Sequence, residues 1–149
     1  MERVRLEFPA ADGVHRDTFR VRIGDINYGR HLGHDAIVTL LHEARARALA
    51  ALGVDEADTD GSPSVVADLT VQYRGEARWG DELLAETAVP EADGKGLPVY
   101  HRLTRVGDSR LVAVARVTLI WLAPDDGRPV AIPSSLQAAL ARVRSQGVD

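Results

Sequence analysis

Residues 24–36, "GDINYGRHLGHDA", bring two carboxylates, an amide, a tyrosine and two histidines together among three glycines. Side chains of these types a few positions apart can activate water. Asp25 or His31 suits a general base, and Asn27 suits hydrogen bonds to the water or to the group it attacks. The competing reading is architectural, with Asp25 and Asn27 closing an Asx-type turn at a strand end. Gly33 and His34 fall where an apolar periodic run begins. Free backbone N–H groups and the helix dipole favour a developing oxyanion there, and a glycine allows close approach. His31, His34 and Asp35 also invite a metal reading. Three-residue spacing across a strand-to-helix turn need not bring ligands together, however, and His15, His42 and His101 stand in no ligand motif. The expectation is no metal.

The elements around this stretch follow from periodicity. Thr18 to Ile23 alternates as a strand running into the turn. From Asp35 onward, Ile37, Leu40, Leu41, Ala44, Ala48, Leu49 and Leu52 recur at three- and four-residue spacing, and Gly53 supplies a stop. This predicts a helix of about five turns. After the acidic loop "VDEADTDGSP" the pattern changes to strands. In "SVVADLTVQYR" the residues Val65, Ala67, Leu69, Val71 and Tyr73 are expected on one buried face and Asp68, Thr70, Gln72 and Arg74 on the other. "DELLAETAV", "LPVYHRLTRV" and "RLVAVARVTLIWLA" follow as strands, with "EADGKG" and "VGDS" as hairpin turns. The last strand, Arg110 to Ala123, is apolar on both faces and belongs in mid-sheet. A short helix over about Ser135 to Ser145 carries Leu136, Leu140 and Val143 on one side. One helix followed by consecutive antiparallel strands is an α+β layout in a single domain over 1–149.

Composition narrows the chemistry. The 149 residues are 45% hydrophobic and 27% charged, with a net charge of -4 and no cysteine. Disulfides, thiolate nucleophiles and cysteine-ligated metal are excluded. No block of basic residues offers a nucleic-acid or anionic membrane surface. The start has charges where a secretory signal has an apolar region, so a cytoplasmic location is the default expectation.

Two stretches carry a family resemblance. "VRIGDINYGRHLGHDAIVTLLHEARARAL", whose helix holds Glu43, Ala44 and Arg45, precedes "VQYRGEARWGDELLAETAV", which contains a YR-x-x-AR-x-GDEL turn over Tyr73 to Leu83. In this order they resemble hot-dog fold acyl-CoA thioesterases, the group that includes 4-hydroxybenzoyl-CoA thioesterase and the long-chain acyl-CoA and acyl-carrier-protein thioesterases. The likeness runs from about Phe19 to Leu122. It implies a five- or six-stranded antiparallel sheet wrapped around the long helix, a homodimer or dimer of dimers with sites at the subunit interface, and thioester hydrolysis without metal or redox cofactor. It also implies that amides at the helix start, around Gly33 and His34, hold the thioester oxygen.

The resemblance breaks at Asn27. Much of the family carries its catalytic acid there, and an amide is neither base nor nucleophile. Asp25 keeps a carboxylate nearby, and His31 matches a histidine of the long-chain and carrier-protein branches. Glu43 is a reserve carboxylate, although it can pair with Arg47 at i, i+4, and His42 is expected to be a packed helix residue. Arg74, Arg78 and Arg102 could meet CoA phosphates, whereas Trp79 and Trp121 are expected in core or interface. The rival readings are a hot-dog dehydratase acting on acyl-CoA and a non-catalytic acyl-CoA binding protein.

Overall fold

Strand pairing organises the chain into one antiparallel sheet with the order β1-β3-β4-β5-β2, in a computed structural model that describes residues 5–147. Residues 1–4, part of the opening read above as unlike a secretory signal, and residues 148–149 lie outside the described residues. The strands are β1 (Gly13–Arg20), β2 (Ser64–Tyr73), β3 (Glu82–Ala88), β4 (Gly96–Arg105) and β5 (Leu111–Leu122). A two-residue β6 (Pro129–Val130) pairs with the end of β5. This is the six-stranded sheet with one long helix that the resemblance implies. β1 begins and ends earlier than the alternation of Thr18 to Ile23 predicts, because its register is set by β3 from Gly13↔Ala88 to Arg20↔Glu82.

The long helix α1 (His34–Ala51) lies on the inner face of the sheet. Ile37, Leu41 and Ala44 pack against Phe19, Leu83, Ala85, Leu103 and Ala115, as their helical spacing predicts. A Leu side chain fully removed from water contributes roughly 1.5–3 kcal/mol. Gly53, with φ of 78°, ends the helix by placing its N–H on the Ala50 carbonyl. Toward that end, Leu49 joins Val99, Val117, Leu119 and Trp121 in a second apolar cluster. The short helix α2 (Ser134–Gln146) closes it with Leu136 and Leu140. β5 has β4 on one side and β2 on the other, so it stands in mid-sheet as expected.

β2 departs from its expected facing. A bulge between Val66 and Asp68 puts Val66 opposite Leu119 and Leu69 opposite Val117, both inner-face residues of β5, whereas Val65 stands opposite Ile120. One inserted residue reverses the alternation on its far side. Val65 therefore leaves the face shared by Leu69, Val71 and Tyr73. The expected burial is also absent in the single chain: Val65, Val66, Leu69 and Tyr73 are exposed, and β2 is an edge strand that pairs with β5 alone among the described strands.

Candidate active site

Leaving β1, the chain stays tied to β3 through Val21, whose N–H donates to the Asp81 carbonyl and whose carbonyl accepts from Gly80 N–H, both at 2.9 Å. A 3-10 turn, Ile23–Asp25, follows. Its Asp25 Oδ2 accepts the Arg22 N–H at 2.9 Å, with the Arg22 guanidinium 4.0 Å away. Asn27 then builds the loop that ends at His31. Its Oδ1 accepts the N–H groups of Gly29 at 2.9 Å and His31 at 3.2 Å, while its own N–H donates to the His31 carbonyl. Arg30, at φ of 64°, accepts a left-handed conformation so that its N–H can reach the Asn27 carbonyl. The oxygens of Asp25 and Asn27 thus hold backbone, whereas the Asn27 amide nitrogen has no acceptor among the described residues.

The loop hands the chain to α1 through two further bonds. Leu32 N–H donates to the Ala77 carbonyl at 2.8 Å and Gly33 N–H to the Asp25 carbonyl at 2.9 Å. A β-carbon on Gly33 would stand 3.6 Å from both Asn27 Cβ and the Asp25 carbonyl, and 2.5 Å from Asp35 Oδ1. Helix start and turn are therefore in contact. Gly33 has no side chain with which to cap the helix, and the first-turn N–H groups of His34, Asp35 and Ala36 find no acceptor among the described residues. The sequence start at Asp35 is thereby moved to His34, with the amides exposed at the positive end of an 18-residue helix. Tyr73, at the end of β2, donates its hydroxyl to the His34 carbonyl at 3.2 Å and meets the His34 ring edge-on. Burial, then the negative charge of Asp35, raises the Tyr73 hydroxyl above the usual phenol range, which keeps it protonated as a donor.

The residue that periodicity and spacing did not single out is Glu76. Its Oε2 lies 3.0 Å from His31 Nε2, with 31% of the histidine side chain and 64% of the glutamate side chain exposed. In the sequence it occupied one of the two variable positions of YR-x-x-AR, a signal too weak to name it. The backbone explains its placement. Arg74 and Gly75 N–H groups both donate to the Val112 carbonyl, and a β-carbon on Gly75 would collide with the Leu111 carbonyl. The Arg105 guanidinium, from the β4–β5 hairpin, donates to the Glu76 carbonyl at 2.9 Å.

Other sequence candidates separate from this turn. Glu43 is ion-paired with Arg47, which also bonds Asp17 at 2.9 Å. Arg102 is committed to Glu86 at 2.6 Å and lies over the Phe8 ring. Arg74 and Arg78 form no side-chain ion pair among the described residues. Trp121 is fully buried, while Trp79 is exposed. His42 is not packed as expected: it is exposed and lines a groove of about 850 Å³ between α1 and β2, with Val38, Leu41, Val66 and Leu69 as apolar walls. The Arg45–Glu56 pair, 3.0 Å apart, borders the same groove. Among the described residues no cluster of three or more His, Cys, Asp or Glu could hold a metal ion, and no helix is long and apolar enough to cross a membrane.

Comparison with known proteins agrees with this architecture. The family model described as the thioesterase-like superfamily matches residues 21–140. No curated protein sequence matches the chain. Among solved structures, the fold is similar to a 1,4-dihydroxy-2-naphthoyl-CoA thioesterase from Synechocystis, with a TM-score of 0.77 at 15% identity over 85% of this chain and 94% of that one. A dihydroxynaphthoyl-CoA thioesterase from Staphylococcus aureus gives 0.76 at 18% identity, over 87% and 90%. A second Staphylococcus aureus protein, solved in complex with CoA, gives 0.79 at 18% identity, over 87% and 83%.

Proposed function

The chain belongs to the thioesterase-like superfamily, and from that premise we propose that it hydrolyses a CoA thioester of an acyl or aryl acid, with His31 as the base. The carrying observation is the uncapped start of α1 at His34–Ala36, adjoining the turn from which the His31 ring projects. In this reading the thioester oxygen accepts from those amides. His31 takes a proton from water, and the water oxygen bonds to the carbonyl carbon. The tetrahedral oxyanion is held by the same amides, fixed in place before the reaction and at the positive end of the helix dipole. Its collapse breaks the carbon–sulfur bond. The departing thiolate then takes the proton from the imidazolium, which returns His31 to its starting state.

Asp25 and Asn27 shape the turn, and the Asn27 amide nitrogen is free to hold the attacking water. The groove between α1 and β2 offers apolar walls for the acyl part. Two of the similar structures are thioesterases of dihydroxynaphthoyl-CoA and a third holds CoA, which supports a CoA ester with a compact, ring-sized acid. The exposed apolar residues of the β2 edge support pairing of β2 with a second copy of the chain, since an open edge of this kind is a template for another strand.

A thiol-release screen over aliphatic and aromatic acyl-CoAs tests the activity. Release above background, lost in His31→Ala, is the expected result. No release from any ester overturns the proposal, and tight binding without turnover assigns the chain to the non-catalytic alternative.

A further inference from the structure

We propose that Glu76 is a positioning residue that acts through His31, its carboxylate stabilising the imidazolium that forms when the base takes the proton from water. This rests on the reading of His31 as the base, and its observation is independent of that reading: Glu76 Oε2 stands 3.0 Å from His31 Nε2. A carboxylate at that separation favours the charged ring over the neutral one by direct Coulomb attraction. The step it assists is balanced within the site. The proton moves from water to the imidazole, the ring becomes cationic beside an anion, and the proton leaves again on the thiolate.

Glu76 is placed for this role by backbone and not by its own side-chain packing. Gly75 lets the chain pass against the Leu111 carbonyl, and Arg105 holds the Glu76 carbonyl at 2.9 Å. Its carboxylate therefore meets the ring although most of the side chain is exposed. Other charged and titratable groups belong to the same elements. On the turn itself are Asp25 and Arg30. The helix start carries His34 and Asp35, and Tyr73 and Arg74 lead from β2 toward Glu76. Among the described residues, no carboxylate other than that of Glu76 is paired with the His31 ring. Asp25 is turned to the Arg22 N–H.

The test is Glu76→Gln, which keeps the shape and removes the charge, read in two ways. In turnover, kcat is expected to fall about tenfold with KM within about twofold. Glu76→Asp recovers part of the loss. In a His31→Gln background, Glu76→Gln is expected to cost nothing further, since a residue acting through another has no effect once that other is gone. The second readout needs no substrate: at fixed pH the 15N resonances of the His31 ring shift in Glu76→Gln. Unchanged ring resonances overturn the proposal, and so does an equal loss in the presence and absence of His31. If the wild-type chain releases no thiol but the resonances shift, the pairing stands and the hydrolase reading falls.

Discussion

His31 and His101 are the same side chain in opposite surroundings. His31 projects from a loop tied by backbone bonds, partly in water, with a carboxylate 3.0 Å from its ring. His101 lies on β4 opposite Thr87 of β3, fully buried, with Nδ1 3.0 Å from the Thr87 hydroxyl and Nε2 without a partner among the described residues. Burial first, and then the positive charge of Arg45, push the His101 ring down to about 3. It therefore stays neutral and serves as packing. A histidine becomes useful for proton transfer where water can reach it and an anion can offset its charge. The inner face of this sheet supplies neither.

The largest expected effect tests His101. Its folded value of about 3 lies below the ordinary 6.5 of the unfolded chain, so only the unfolded state takes up the proton as pH falls between those values. The contribution of the neutral ring is fully present above pH 6.5 and is lost progressively as pH falls below it toward about 3. Urea midpoints from pH 7 to pH 4 measure this decline, and His101→Leu should flatten it. The same steep slope in His101→Leu would assign the acid sensitivity elsewhere.

His31→Ala should do the reverse, lowering kcat/KM about a hundredfold, equivalent to about 2.7 kcal/mol, while leaving the melting temperature unchanged. A drop in melting temperature comparable to that of a core substitution would remove the contrast. Gly75→Ala falls between the two. Collision of the new methyl group with the Leu111 carbonyl should cost about 1–3 kcal/mol and also lower turnover, because the shifted segment carries Glu76. Paired denaturation and kinetic measurements would show whether the losses coincide. Asn27→Asp has the smallest expected effect. A carboxylate can accept the same Gly29 and His31 N–H bonds, so the loop keeps its form, and loss of the amide donor to the water lowers turnover by about threefold. A rise of tenfold or more would place the base at position 27 instead.

Much of the fold was legible in the residues. The spacing of Ile37, Leu41, Ala44 and Ala48 marks the buried face of α1, and the two-sided apolarity of β5 marks an interior strand. The position of the turn was equally plain from Asp25, Asn27 and the glycines. Three things were not. The bulge near Ala67 leaves the composition of β2 unchanged, so alternation placed Val65 on the wrong face. The edge position of β2 depends on which strands pair, and this exposes a face that looks like core. The partner of His31 occupied a spacer position in a motif, where nothing in the neighbouring residues distinguishes it.

The division has a physical cause. Helix and strand periods, turn chemistry and the free amides of an uncapped helix arise from interactions within a few residues, and the sequence by itself determined them. Charge environment is a property of groups brought together through space. Glu76 beside His31, Arg45 facing His101 and the open edge at β2 exist only once the sheet has closed on the helix. Tertiary structure therefore decided which histidine stands beside a carboxylate at the surface and which is held neutral in the core.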